Sequence, residues 1–536
     1  MMKTKSELRG ILFRHLDGIA TIPVAYSLYK KGVLNYILQE KEASLKELSS
    51  KFRANEGYVN VALRVLCSQG WLLQEIDRKK NDVIFSVTDK SDTAFSLIPL
   101  YGDVFSLMQS SEHYHPRKFE IEPFEMLNKL FSQYKSNFEI QFSEDEKIRA
   151  VQDQVLCHIE GVLVGPTVVM LGMTGMFHKY FMETSFRAEE FHKQPECFME
   201  ILDFLTHLAW FTKKNDNYQF TETGLFYAKR AAAYGVTVSY IPTLRKMDEL
   251  LFGDASILRN TGEHEVEQHV DREMNVWGSG GAHAEYFKIV DQIIIELFSR
   301  PIAEQPIGIL DMGCGNGAFL EHIFDVIERQ TSRGKLLDEY PLFLVGVDYN
   351  EAAIKVTRAN LIKADIWAKV IWGDIGRPQL LAETLLNDYN IDLKELLNVR
   401  TFLDHNRIWE TPINRTPNRI STSTGAFAHR GKRISAAEVE DNLLEHLSKW
   451  SPFVEKFGLL LIELHTIAPE LTAANLGKTA ATAYDATHGF SDQYIVEIDI
   501  LHKIAAKAGL FTDDKVFAKF PNSETATVSV NLLKGK

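Results

Sequence analysis

Cysteine is scarce in this 536-residue chain. Cys67, Cys157, Cys197 and Cys314 are scattered, with no pairing or metal-ligand spacing. They give no disulfide framework and read as reduced thiols in a cytoplasm. Positive charge is also short: 59 Lys and Arg stand against 72 Asp and Glu, a net charge of −13. A chain built mainly to bind nucleic acid carries the opposite excess. No apolar run reaches 18 residues, so no membrane span is expected. The opening MMKTKSELRG has no apolar stretch and does not read as a signal peptide. Apolar content is ample: 45% of residues are hydrophobic, enough for a large core, and a chain this long suggests two to four domains.

The first half repeats itself. RHLDGIATIPVAYSLYKKGVL (14–34) matches CHIEGVLVGPTVVMLGMTGMF (157–177), pairing His15, Gly18, Pro23 and Gly32 with His158, Gly161, Pro166 and Gly175 at a constant 143 residues. LRVLCSQGWL (63–72) matches LDFLTHLAWF (202–211) at an offset of 139. Two copies are too few for a solenoid. Each copy reads as helix, short helix, a second helix ending at Trp71 or Trp210, and then a two-stranded hairpin. That is the plan of a winged helix. The candidate recognition helix, EGYVNVALRVLCSQG, has one arginine and no lysine. Groove readers normally present several donors, so packing or dimerisation is the favoured role. Residues 100–147 join the copies, and 254–275 read as a polar hinge. The division expected is 1–110, 111–255 and 256–536.

The second half reads as α/β. IGILDMGCGNGAFLEHIFDVI (307–327) is a short apolar strand, a turn with Gly313, Gly315 and Gly317, and a helix. Glycine permits positive φ and close approach of a ligand to the backbone, and the helix start offers free N–H groups. LFLVGVD ends in Asp348, an acid placed to grip ribose hydroxyls, and AKVIWGDI ends in Gly373-Asp374. Helices separate most of the strands, which predicts a parallel sheet. DKVFAKF and TATVSVNLL have no helix between them and predict a hairpin.

With Asp311 before the loop and G-x-G-x-G in place of G-x-G-x-x-G, this set resembles class I S-adenosylmethionine-dependent methyltransferases over roughly 280–536. The resemblance implies a Rossmann-like domain with S-adenosyl-L-methionine as cofactor. Asp311, Gly313, Cys314, Gly315 and Gly317 would lie along its methionine part. Asp348 with Tyr349 would hold the ribose, and Gly373, Asp374 and Ile375 would edge the adenine. About ten extra residues around TSRGKLLDEYP depart from the family pattern. A winged-helix region ahead of such a domain resembles the small-molecule O-methyltransferases, where it serves for dimerisation and as a lid. The duplication departs from that pattern, because the second copy could replace a partner subunit. Monomer and homodimer therefore both stay open.

VRTFLDHNRIW (399–409) ends the fourth strand, where this fold places substrate-facing groups. His405 is the candidate general base, since free imidazole titrates near pH 6.5. Asp404, as a buried carboxylate of raised pKa, and His465 on the next strand end are its rivals. Asn406, Arg407 and Gln493 are candidate substrate contacts. Asp485, His488 and Asp492 add titratable groups to the same expected mouth. His465 and Gln493, perhaps with Asp404, could hold a metal, but no spacing demands one and none is expected. Six basic residues against the single acid Glu410 (Arg407, Arg415, Arg419, Arg430, Lys432, Arg433) suggest an anionic substrate. The polar segment after His465 resembles, more faintly, methyltransferases of polyketide synthases, which act on carrier-tethered acyl groups. The leading reading is O- or C-methylation of a small or carrier-bound metabolite in secondary metabolism, without nucleic acid or membrane. The alternatives are a nucleic-acid methyltransferase read by its winged helices, and a non-catalytic scaffold.

Overall fold

The computed structural model describes residues 3–110, 114–115, 118–259, 267–280, 283–416 and 419–536. The chain folds as two compact units. The first is mainly helical and comprises Met1–Ala282, Ala426–Arg433 and Ala468–Ser491. The second comprises His283–Gly425, Ile434–Ile467 and Asp492–Lys536. The helical unit thus takes 256–282 and two later pieces of chain from within the sequence assigned above to 256–536. Residues 260–266 of the expected hinge, and 111–113 and 116–117 of the segment joining the copies, lie outside the described residues.

Two long helices, Lys5–Lys31 and Glu146–Met173, run through the helical unit, and each contains its repeat proline, Pro23 or Pro166. The first starts on a Thr4 capping box and stops at Gly32 in the left-handed conformation. They cross where the repeat glycines fall. A Cβ on Gly18 would lie 2.3 Å from the Cα of His158, and one on Gly161 would lie 2.3 Å from the His15 carbonyl oxygen. Only glycine permits that approach. Glu146–Met173 is long and apolar enough to cross a membrane, but 72% of its apolar window is buried inside the protein. No other described helix passes that test.

Both winged-helix plans are present. In the first copy helices Leu45–Phe52 and Glu56–Ser68 precede antiparallel strands Leu72–Asp77 and Asp82–Val87. In the second, helix Pro195–His207 precedes strands Phe211–Lys214 and Asn217–Phe220. Trp71 and Trp210 are buried at equivalent corners. The candidate recognition helix is buried from Gly57 through Ser68. Its one arginine, Arg64, donates to Asp485 at 2.9 Å, both side chains being enclosed. A helix sunk this deep offers no face to a DNA groove.

The second unit is built on one sheet. Its strands are β1 (Gly308–Met312), β2 (Phe343–Asp348), β3 (Lys369–Trp372), β4 (Leu396–Thr401), β5 (Leu459–Leu464), β6 (Phe511–Thr512), β7 (Ala518–Phe520) and β8 (Val528–Lys534). The order is β3-β2-β1-β4-β5-β8-β6, with β7 on β8. The first five run parallel. β8 is antiparallel to β5, β6 and β7, so the expected closing hairpin is there. Helices α1 (Ala318–Gln330), α2 (Glu351–Lys363), α3 (Pro378–Tyr389), α4 (Ala436–Val454) and α5 (Ile498–Lys507) pack around the sheet. β1 and β5 are buried along their whole length, as central parallel strands covered on both faces must be. The carboxyl ends of β1, β2, β4 and β5 therefore open on one edge, where ligands of such sheets sit.

Candidate active site

The turn after β1 is shaped by its glycines. Gly313, Gly315 and Gly317 have φ of 81°, 56° and 82°, the left-handed region that side chains resist. The Gly313 and Cys314 N–H groups both donate to the Val347 carbonyl, at 2.7 and 3.1 Å. The Cys314 thiol is buried, 3.6 Å from the Thr357 hydroxyl, and burial pushes its pKa up. A Cβ on Gly315 would meet nothing nearer than the Gly313 carbonyl oxygen at 4.0 Å. The loop is therefore open on the side where a Gly315 Cβ would lie.

Asp348 closes the loop from β2. One carboxylate oxygen accepts the Gly315 N–H at 3.0 Å, the other the Asn350 N–H at 2.9 Å. Beside it the exposed Tyr349 ring leans on Trp372 at 5.6 Å. Gly373 is required sterically, since a Cβ there would lie 2.4 Å from Val347 Cγ1. The Asp374 carboxylate accepts the Gly376 N–H at 2.8 Å, and the Ile375 carbonyl accepts the Trp450 indole N–H at 2.7 Å. Asp311 is buried at the end of β1, and burial, with Asp348 adding to it, pushes its carboxyl up to about 8. A buried acid with no cation beside it is a site for one. The methionine ammonium of S-adenosylmethionine fits that need.

The 404–407 turn sits next to this loop, with a Leu403 methyl 3.0 Å from where a Gly313 Cβ would be. His405 is buried, and its Nδ1 lies 2.5 Å from a Glu463 carboxylate oxygen. Its backbone N–H donates to the other oxygen at 3.2 Å. Glu463 comes from β5, adjacent to β4. Nδ1–H donating to a carboxylate makes Nε2 the basic nitrogen. Sequence reasoning missed Glu463, although an acid inside the otherwise apolar LLLIEL was the signal.

Asp404 departs from the expected carboxylate of raised pKa. Burial opposes its charge, but Arg400, donating at 2.6 Å, and His446, at 2.8 Å, hold it well below the usual carboxylate range. Its charge is held by Arg400 and His446. Arg400, fully buried on β4, also lies 3.9 Å over the Trp450 ring. His465 is enclosed: Nδ1 donates to the Val496 carbonyl at 2.9 Å and Nε2 accepts from the Ser529 hydroxyl at 2.7 Å. Burial lowers it to about 4. With both nitrogens engaged it has none to offer a proton or a metal. Among the described residues no group of three or more His, Cys, Asp or Glu side chains converges to hold a metal.

Arg407 is locked inward, its Nε donating to Asn442 at 2.6 Å and Nη1 to the Asp404 carbonyl at 2.8 Å. The basic loop is neutralised by α4: Arg415 pairs with Glu438 at 3.3 Å, and the buried Arg419 pairs with Glu440 and Asp441 at 2.9 and 2.8 Å. Arg430, Lys432 and Arg433 belong to the helical unit, where Arg433 meets Glu56 at 3.5 Å. Among the described residues, Arg407, Arg415, Arg419 and Arg433 each have a polar or acidic partner. Asp485 and His488 also lie in the helical unit, one bound to Arg64, the other at 2.9 Å from the Tyr484 carbonyl. Asn406 is exposed at the dyad turn. The buried Gln493 precedes Tyr494, whose N–H donates to the His405 carbonyl at 2.8 Å.

This strand order, the glycine loop and the acid on β2 define a class I S-adenosylmethionine-dependent methyltransferase carrying winged-helix N-terminal modules. In particular, residues 267–531 match the AprA MT2-like domain, 160–254 the AprA winged helix domain and 8–74 the AprA N-terminal domain. Similar solved structures include the mitomycin 7-O-methyltransferase MmcR, at 11% identity over 72% of this chain and 98% of that one, with a TM-score of 0.39. LepI in complex with SAM has 12% identity over 84% and 100% of the two chains, TM-score 0.36. The CurJ carbon methyltransferase has 11% identity over 83% and 99%, TM-score 0.33. Among curated proteins none matches the sequence.

Proposed function

We propose that the protein methylates an oxygen or an acidic carbon of a small metabolite, with His405 as general base and Glu463 as the group that orients it. The observation that carries this is the 2.5 Å contact between His405 Nδ1 and the Glu463 carboxylate, on a turn packed against the glycine loop. Bound S-adenosylmethionine supplies an electrophilic methyl group on sulfur. Asp311 and the loop at 313–317 hold the methionine part, Asp348 with Tyr349 the ribose side, and Gly373, Asp374 and Ile375 the adenine edge. Glu463 keeps the imidazole in the tautomer whose Nε2 accepts a proton, and its charge stabilises the imidazolium that results. Alignment of the acceptor with the methyl group supplies the remainder of the rate. Asn406 and Gln493 border the same turn and are the proposed substrate contacts. An acceptor tethered to a carrier protein, in secondary metabolism, is compatible with this chemistry but gains no support from the basic loop, whose arginines are paired. The burial of helix Glu56–Ser68 speaks against the first copy as a reader in the nucleic-acid alternative.

The test is substitution with cofactor binding and turnover followed separately. His405→Ala should reduce turnover about a hundredfold or more with cofactor affinity within threefold of the parent, and Glu463→Gln should follow it. His465→Ala should act on stability. Full turnover in His405→Ala overturns the assignment.

A further inference from the structure

Asn442, His446 and Trp450 follow one another a turn apart on α4, so they share one face of the helix. Each holds one part of the site. Asn442 accepts from Arg407 Nε at 2.6 Å. His446 Nε2 lies 2.8 Å from an Asp404 carboxylate oxygen. The Trp450 ring carries the Arg400 guanidinium 3.9 Å above it, and its indole N–H donates to the Ile375 carbonyl at 2.7 Å. Arg400 in turn donates at 2.6 Å to the same Asp404 oxygen that His446 meets. Contacts therefore run without a gap from Ile375, proposed above for the adenine edge, through Trp450, Arg400 and Asp404 to the next residue in the chain, His405. Every one of these side chains is buried, and all belong to the second unit.

Stability alone is a poor account of Arg400. Taking a guanidinium out of water is costly, and a buried pair recovers that cost only when its remaining donors and acceptors are matched. Arg400 Nε and Nη2 and the second Asp404 oxygen have no hydrogen-bond partner among the described residues. The two groups share a single bond where a guanidinium and a carboxylate can share two. An apolar side chain against Trp450 would serve the core as well. What only the cation does is join the indole to the turn that carries the base. We infer that Arg400 is a positioning residue: with Trp450 it sets the turn of His405 against the adenine edge, so that filling that edge moves the imidazole. Such coupling needs a contiguous physical network, and here each link is a direct contact. Both ends rest on the function proposed above, the cofactor at Ile375 and the base at His405.

The experiment uses the full chain with isotope-labelled histidine and reads the ring signals by NMR, the His405 signal being the one absent from His405→Asn. The probe is adenosine, which has the adenine and ribose of the cofactor but no methionine arm to reach the turn directly. Adenosine is expected to shift the His405 signal in the parent and to leave that of His465, enclosed on the next strand end, in place. Trp450→Phe keeps a ring beneath Arg400 but has no N–H for Ile375. Arg400→Lys keeps the charge but loses the flat face and the fork. In both the His405 shift should be lost, while adenosine affinity in calorimetry stays within about tenfold of the parent, the range of one hydrogen bond. A shift that survives in both variants overturns the inference. So does one that His465 shares, because a general tightening of the fold moves both. Failure of S-adenosylhomocysteine to bind the parent sinks the methyltransferase site and the inference with it. Binding of the homologue with no response of His405 to adenosine sinks the inference alone.

Discussion

Gly18 lies against His158 so closely that a Cβ on it would fall 2.3 Å from the His158 Cα. The repeat copies the contact in reverse, with Gly161 against His15. Residue i of one copy meets j of the other, and j meets i. That is the signature of a two-fold interface, here closed within one chain. Gly18→Val and Gly161→Val should each destabilise the helical unit by about 3 kcal/mol or more, because the obstruction is backbone and cannot rotate away. Denaturant unfolding checks this. A self-contact satisfied in cis leaves no need for a second chain, and sedimentation is expected to give the mass of one, 61.0 kDa.

The two repeat histidines should respond to pH in opposite directions. Burial opposes a charge on His15, but Glu160 at 3.1 Å raises it to about 9. Its contribution is full below pH 6.5 and is lost as pH rises toward 9. Burial lowers His158 to about 3, with Arg14 and His15 adding to the effect. There the unfolded chain takes up a proton that the folded one refuses, so stability is lost as pH falls from 6.5 toward 3. His15→Gln should flatten the alkaline limb of the stability profile and His158→Gln the acid limb. Unfolding midpoints between pH 4 and 9 decide it.

Cofactor binding should release a proton. Asp311, raised to about 8 by burial and Asp348, is neutral at pH 7. A cation placed beside it favours the ionised form. Affinity for S-adenosylmethionine is expected to climb from pH 6 to 8 and then level off. Calorimetry at pH 7 in phosphate and in Tris should give different enthalpies, and identical enthalpies refute the coupling. Without cofactor the sign reverses: the folded state holds a proton the unfolded chain has lost, so Asp311 lowers stability as pH rises from about 4 to 8.

Gly315→Ala separates binding from folding. The positive φ of 56° costs a side chain about 1 kcal/mol, but within the protein the new methyl meets nothing nearer than the Gly313 carbonyl oxygen at 4.0 Å. Cofactor affinity should fall tenfold or more with a melting shift of only a few degrees. Gly313→Ala should cost more stability, because its methyl meets Leu403 at 3.0 Å.

The parallel sheet with its closing hairpin, the glycine loop and both winged-helix plans were readable because they depend on local patterns: apolar strands ending in Gly or Asp, and a repeat at fixed spacing. The partners of the site were not. His405 was visible as a candidate, but Glu463 becomes its partner only when β4 and β5 lie side by side. The basic residues of 407–433 were counted correctly, yet a count cannot show that Glu438, Glu440 and Asp441, one turn of α4, neutralise Arg415 and Arg419. Asp404 looked like a rival base until Arg400, four residues back on the same strand end, fixed its charge.

The path of the chain carries a further consequence. It leaves the helical unit after residue 282, returns for 426–433, leaves, and returns again for 468–491. No single cut severs the two units, and no single gene fusion exchanges one for another. A fragment such as 256–536 carries Asp485 and Thr482 away from Arg64 and Gln69, their buried partners. The two units are therefore inherited together, and any recombination that swaps the helical unit must replace three separate stretches of sequence at once.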